Sequence, residues 1–221
     1  MGNRRSVVLI SANSEWQAAK EILIPTRIDH SPYGETFEAQ DLTFFHGGWG
    51  KISAAATTQY AIDHFQPNLL VNLGTCGGFA GRVERGTILL VNRTIVYDII
   101  EQMSDPQEAI VHYSTEIDLS WLKEPLAHPV QRGLLLSADR DILMKDIPML
   151  VEKYGAIAAD WESAAIAWVA KRNRVKCLIL RGVTDLVSAE GGEAYGNIEL
   201  FHSRTKEIMK TLLDQLPDWL K

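Results

Sequence analysis

The chain has 221 residues, 46% of them hydrophobic, and sets 22 Lys and Arg against 28 Asp and Glu for a net charge of -6. That length supports one large domain or two small ones with a full core, and the acidic balance argues against a nucleic-acid partner. No segment approaches the ~18 uninterrupted apolar residues of a membrane span.

Short apolar runs alternate with longer segments of helical period, the pattern that builds a sheet covered on both faces, so the class is α/β. Arg4 and Arg5 precede an apolar run, Val7 to Ile10, that is too short for a signal-peptide core and reads as the first strand. Ser14 offers an N-cap to a helix through Ile24, with Ala18, Ala19, Ile22 and Leu23 on one side. Leu42 to Phe45 is the second strand. After the turn from His46 to Gly50, a helix is expected from Ile52 to Phe65, ended by Pro67.

Leu69 to Leu73 is the next strand and leads into Gly74-Thr75-Cys76-Gly77-Gly78, read as a turn whose amides can point at an anion or a polyol. Further strands are expected at Thr87 to Val91, Gly133 to Ser137 and Ala156 to Ala159. The stretch from Glu101 to Gln131 holds Pro106, Pro125 and Pro129 and is the least regular, either a binding loop or a surface insertion. Helices follow at Trp161 to Arg172 and at Glu199 to Leu216, the latter with an apolar stripe of Leu200, Phe201, Ile208, Met209, Leu212 and Leu213. No repeat, low-complexity tract or linker interrupts the chain, so one domain over residues 1–221 is expected. Cys76 and Cys177 form no disulfide framework and no zinc-ligand spacing, which fits a reducing, cytoplasmic setting.

The run Val175 to Thr184 reads as a buried strand that ends on Asp185. Ligands of open α/β sheets gather at the carboxyl ends of parallel strands, so an acid there stands where a substrate would lie; a turn or helix cap is the alternative. A second acidic group, Asp160-Trp161-Glu162-Ser163, lies at a strand-to-helix junction. Asp160 suits an N-cap and Glu162 a first helical turn, while Trp161 offers a flat apolar face to a ligand. Nucleotide motifs fail: Cys76 takes the place of the second glycine of the dinucleotide fingerprint, and Gly50-Lys51-Ile52 lacks the flanking residues of a P-loop. The 6 histidines are scattered without the spacing of a helical ligand pair, so neither a metal nor a cofactor is expected.

Four blocks carry a resemblance: Gly48-Trp49-Gly50-Lys51-Ile52-Ser53-Ala54-Ala55, Pro67 through Phe79, Asp160 through Ala167, and Arg181-Gly182-Val183-Thr184-Asp185. In these the chain resembles the nucleoside phosphorylase and nucleosidase superfamily, and within it the methylthioadenosine/S-adenosylhomocysteine nucleosidases. The resemblance implies a three-layer α/β/α fold around a twisted, partly barrel-like mixed sheet, a small-molecule nucleoside as partner, and cleavage of the bond between ribose and nucleobase. It also implies roles. Asp185, oriented by Thr184 and Arg181, would protonate the imidazole-side nitrogen of a purine. Glu162 would grip the ribose 2'-hydroxyl in a hydrogen bond that strengthens as the sugar becomes cationic. Trp161 takes the place usually held by a methionine against the ribose. In the glycine stretch that includes Gly77, Thr75 matches the small hydroxyl residue that holds phosphate or the attacking water. Relatives assemble as dimers or larger rings, so at least a homodimer is expected.

Asn72 stands where phosphorylases of the superfamily carry an arginine for phosphate and nucleosidases carry asparagine, which favours hydrolysis, with a phosphorylase as the second reading. Water must then be activated by a glutamate in the first helix turn, where direct alignment puts Trp16 with Glu15 beside it. Successive helical residues point about 100° apart, so Glu15 as general base stands against Glu15 as a dipole-favoured acid of a first helical turn and against a third reading, supported by Trp16, of a catalytically silent nucleoside-binding protein. Asp141, before Ile142, stands where adenosine-type nucleosidases place an aromatic over the base. It either accepts hydrogen bonds from a different purine or points to solvent.

Overall fold

The structure, a computed structural model, describes residues 6–188 and 190–221, so Arg4 and Arg5 lie outside the described residues. The chain begins with β1 (Ser6–Ile10), α1 (Asn13–Leu23), β2 (Asp29–Ser31), β3 (Gly34–Ala39), β4 (Leu42–His46), α2 (Gly50–Phe65), β5 (Leu69–Phe79) and β6 (Ile88–Val96). It continues through α3 (Pro106–His112), β7 (Ser114–Glu116), β8 (Gln131–Ser137), a 3₁₀ turn (Met144–Asp146), α4 (Ile147–Tyr154), β9 (Ala158–Asp160), α5 (Ser163–Arg172), β10 (Lys176–Ser188), β11 (Gly191–Gly192) and α6 (Ile198–Trp219).

All strands join one mixed sheet in the order β11-β10-β6-β8-β9-β5-β1-β4-β3-β2, with β7 on β6 and an additional pairing of β10 with β5. That additional pairing closes β5, β10, β6, β8 and β9 into a five-stranded barrel, from which β1, β4, β3 and β2 extend as an open wing. β5 and β10 run parallel and are buried along almost their whole length, which is why both read as unbroken apolar runs rather than alternating ones. Helices α1 and α6 pack together on one side and α2 with α5 on the other, the expected three-layer arrangement. The α6 stripe of Ile208, Met209, Leu212, Leu213 and Leu216 is buried against Val8, Val71, Leu178 and Leu180 of the sheet, each such side chain contributing roughly 1.5–3 kcal/mol. On the opposite side, small Ala54, Ala61, Ala165 and Ala167 let α2 and α5 sit close to the strands.

Several elements differ from their sequence reading for local reasons. α1 is capped at Ala12 rather than Ser14; since alanine has no acceptor, Glu15 reaches back and accepts the Ala12 N–H at 3.3 Å. The glycine cluster is strand rather than turn. Gly77 and Gly78 pair with β10 on one side and β9 on the other, and a Cβ at Gly74 would meet Arg181 Nη1 at 1.9 Å, so glycine there makes room for side chains rather than bending the chain. Asp185 lies inside β10 and not past its end: a bulge between Val183 and Asp185 shifts the register against β5 and re-aims the side chain. Helix α5 starts at Ser163, leaving Trp161 and Glu162 in the entry turn, and α6 continues past Pro217 to Trp219. The hairpin of β2 and β3 escaped the sequence reading because its polar residues carry no apolar run. The 101–131 excursion is partly regular, holding α3 and β7, the latter paired to β6. Among the described residues, no helix is long and apolar enough to cross a membrane.

Candidate active site

Just beyond the carboxyl end of β1, over the middle of the longer β5 and β10, lies a cavity of about 700 Å³. Glu15, Thr75, Gly77, Asp141, Ile142, Trp161, Glu162, Thr184 and Asp185 all line it. Three of its acids, Glu15, Glu162 and Asp185, are only 2%, 5% and 6% exposed. Such burial is costly for a charge and is tolerated where partners are built in.

Glu15 owes its place to the first turn of α1. Its Oε1 accepts the Thr75 N–H at 2.6 Å and the Thr75 hydroxyl at 2.8 Å, and Arg181 Nη1 stands 3.7 Å away. Burial raises its pKa, while Arg181 and these hydrogen bonds pull the other way. Trp16, one residue on, points into the core: its indole N–H donates to Glu35 Oε2 at 2.7 Å, and its ring stacks on His46 at 5.3 Å. The helical rotation between neighbours therefore delivers Glu15, and not Trp16, to the cavity.

Arg181 is fully buried and does not touch Asp185, so the expected orienting role is corrected. Its guanidinium donates to Asn72 Oδ1 at 2.8 Å and to the Ser163 hydroxyl at 2.9 Å, and pairs with Asp160 Oδ2 at 3.0 Å. Asn72 is likewise placed behind the cavity rather than on it. It is fully buried and bonded to the Leu9 carbonyl at 3.0 Å and to Arg181, because its strand position faces the layer beneath the lining. Asp160, expected only as a cap, does accept the Ser163 N–H at 3.2 Å, but it also accepts from Ser137 and faces Arg181 and the cavity.

Glu162 accepts the Gly50 N–H at 3.1 Å at the start of α2. Its carboxyl is pushed up to about 8, first by burial and then by Asp160, against the pull of Arg181 and the Gly50 amide. Beside it, half-buried Trp161 stacks on Trp49 at 5.8 Å with planes 20° apart, and Trp49 is 66% exposed. Asp185 stands apart from this acid cluster. Its Oδ1 is 3.0 Å from the Thr184 hydroxyl, which is also 3.4 Å from the Cys76 carbonyl. Burial raises the Asp185 pKa, opposed by Thr184 and Arg204. A protonated Asp185 can donate to Thr184 while Thr184 donates to Cys76, so the pair accommodates the neutral acid.

Ile142 packs over Gly77, and its carbonyl accepts the Tyr195 hydroxyl at 3.0 Å, whereas Asp141 sits at the exposed rim. Trp49 and Tyr195 line the cavity with no signal in the sequence that points to them, and Asp160 lines it as well as capping α5. Trp49 lies in the segment Gly48 to Ala55, where nothing local marks it as a partner of Trp161. Among the described residues, no group of three or more His, Cys, Asp or Glu side chains is arranged to hold a metal ion.

Comparison with known proteins gives the same fold and family. A 5'-methylthioadenosine/S-adenosylhomocysteine nucleosidase of Buchnera aphidicola is 23% identical over 227 aligned residues, covering 96% of this chain and 98% of that protein. The Helicobacter pylori nucleosidase of that name, solved with butyl-thio-DADMe-Immucillin-A, superposes with a TM-score of 0.78 at 17% identity over 96% of this chain and 98% of that one. A native futalosine hydrolase of Helicobacter pylori gives 0.79 at 18% identity over 98% and 97%. The model of the phosphorylase superfamily matches residues 33–216, most of the chain, and the protein therefore belongs to that superfamily.

Proposed function

We propose that this protein is a nucleoside N-ribohydrolase, which uses water to cleave the N-glycosidic bond of a purine-type nucleoside and releases free base and a ribose derivative. The observation that carries the reading is that Asp185, Glu162 and Glu15 open onto one cavity. Asp185 donates its proton to the imidazole-side nitrogen of the base as the electrons of the C1'–N bond move onto that base. Glu162, ionised, steadies the sugar through its 2'-hydroxyl. Water held at Glu15 and Thr75 adds to C1' and loses its proton to Glu15. A methylthioadenosine- or S-adenosylhomocysteine-like substrate is the class that the similar nucleosidases suggest.

Water is favoured over phosphate by a local argument. The donors that would cradle an anion, the Thr75 amide and hydroxyl, are occupied by the Glu15 carboxylate, and Arg181 is already paired with Asp160. A phosphate dianion there would meet a carboxylate rather than a free cation. The buried, hydrogen-bonded Glu15 also removes the support that Trp16 lent to a silent binding protein. The reading takes the chain as one domain built on one continuous sheet, set in the cytoplasm where its buried thiols Cys76 and Cys177 stay reduced. It takes the protein as at least a homodimer, the assembly that the family resemblance implies.

The test is a panel of purine nucleosides, with and without 5'-thio substituents, incubated with the protein in phosphate-free buffer. Free base is expected, with no acceleration and no ribose 1-phosphate product on adding inorganic phosphate. A strict requirement for phosphate would replace hydrolysis by phosphorolysis, and no base from any nucleoside would reject the reading.

A further inference from the structure

Lys51, Asp98 and Asp139 bind together three segments that do not belong to the catalytic set. The Lys51 backbone N–H donates to Asp139 Oδ1 at 2.8 Å, the Lys51 ammonium pairs with Asp98 and lies 3.5 Å from Asp139 Oδ2, and the Asp139 N–H donates to Asp98 Oδ2 at 3.0 Å. Lys51 and Asp98 are largely buried, with side chains 20% and 17% exposed. α2 lacks a cap of its own, because Trp49 at its N-cap makes no side-chain bond. Asp139, in the loop that follows β8, supplies that missing acceptor.

The next peptide back is the one that matters to the site. Gly50 has φ +79°, a conformation suited to glycine, and a Cβ there would lie 2.9 Å from Asp139 Oδ1. Its N–H is the donor to Glu162 Oε1. Two consecutive amides at the start of α2 are thus aimed at two acids, Gly50 at Glu162 and Lys51 at Asp139, so holding the second fixes the direction of the first. We propose that Asp139, braced by Lys51 and Asp98, is a positioning residue that fixes the Gly50 amide on Glu162. This rests on the reading of Glu162 as the acid that steadies the sugar. Facing Glu162 are also Asp160 and Glu15, which disfavour its charge, and Arg181, which favours it. The Gly50 amide adds to the favourable side, so loosening it moves the Glu162 titration to higher pH.

The experiment compares the full-length protein with Asp139→Ala, Asp139→Asn and Lys51→Met. It reads kcat and KM for base release and, independently of turnover, the Glu162 carboxyl titration by carbon-13 NMR, with the signal assigned through E162Q. D139A is expected to lower kcat roughly 10-fold, the scale of one hydrogen bond to a charged group, with KM changed less than about 2-fold. The acid limb of kcat/KM and the Glu162 titration should both move to higher pH. D139N, whose amide oxygen still accepts the Lys51 N–H, should recover most of the loss, and K51M, which removes the ammonium from both Asp98 and Asp139 but keeps the backbone N–H that donates to Asp139, should fall between. Wild-type kcat and an unmoved Glu162 titration in D139A overturn the proposal, as does D139N behaving like D139A. Should D139A fail to fold by circular dichroism, an unmoved titration in K51M overturns it and a shifted one supports it. Should the wild type release no base, the functional reading fails, while the Glu162 titrations of the variants still decide whether the clamp exists.

Discussion

Glu162→Gln separates what the site costs in stability from what it does in catalysis. The Glu162 carboxyl rises from an ordinary 4.5 to about 8 in the folded protein, mainly through burial. Because the folded-state value is the higher one, the folded protein holds the extra proton, and stability falls as pH climbs from about 4.5 toward 8. Each pH unit across that interval is worth about 1.4 kcal/mol, so full ionisation of Glu162 costs the fold at most about 5 kcal/mol. Glu15, buried beside it with its own pKa raised and facing the same guanidinium, can take up part of the proton, which brings the expected penalty to roughly 2–5 kcal/mol. A glutamine keeps the oxygen that accepts the Gly50 N–H and carries no charge. E162Q should therefore match the wild type near pH 5 and unfold roughly 5–15 °C higher at pH 9, while losing most of its turnover at every pH. Thermal or urea melts at equal protein concentration across that range measure the gap. A difference between the two proteins that stays constant from pH 5 to pH 9 would refute the claim that a buried ionised Glu162 is what the fold tolerates for function.

Three further substitutions probe neighbouring parts of the site. Asp185→Asn should reduce base release by roughly 10³-fold or more, about 4 kcal/mol of lost proton donation, yet still show a ligand-dependent rise in melting temperature; an unaffected rate removes Asp185 as the donor. Arg181→Met leaves Glu15 and Asp160 without their shared cation, so it should destabilise the protein by about 3–5 kcal/mol in urea melts, and an unchanged midpoint contradicts the structural role given to Arg181. Gly74→Ala places a methyl 1.9 Å from Arg181 Nη1 and 2.8 Å from a Glu15 oxygen. It should cost about 1–3 kcal/mol by overpacking and lower kcat together with stability; wild-type activity in that variant means that the glycine does not set the Glu15–Arg181 spacing.

The division between what sequence could and could not reveal follows the range of the interactions. Apolar runs such as Leu69 to Leu73 and the α6 stripe declare strands and helices because burial acts residue by residue. Asp185, Glu162 and Thr75 stood out because each lies in a short block with a chemical rationale. The layer behind them was illegible: Arg181 meets Asn72 across 109 residues, and Gly50 meets Glu162 across 112, distances over which no periodicity speaks. Sequence alone therefore sets Asn72 at the ligand and Arg181 beside Asp185, when both instead form the buried support of Glu15 and Asp160. The ambiguity between Glu15 and Trp16 had the same origin, since either residue fits a first helical turn. It resolves only when Glu35 and His46 claim the indole and the Gly74 gap admits the carboxylate. The choice of water over phosphate thus depends less on the single Asn72 position than on which of two adjacent side chains fills the Thr75 cradle. A nucleosidase can be built from a phosphorylase-like frame when an acid on α1 takes the place that an anion would otherwise hold.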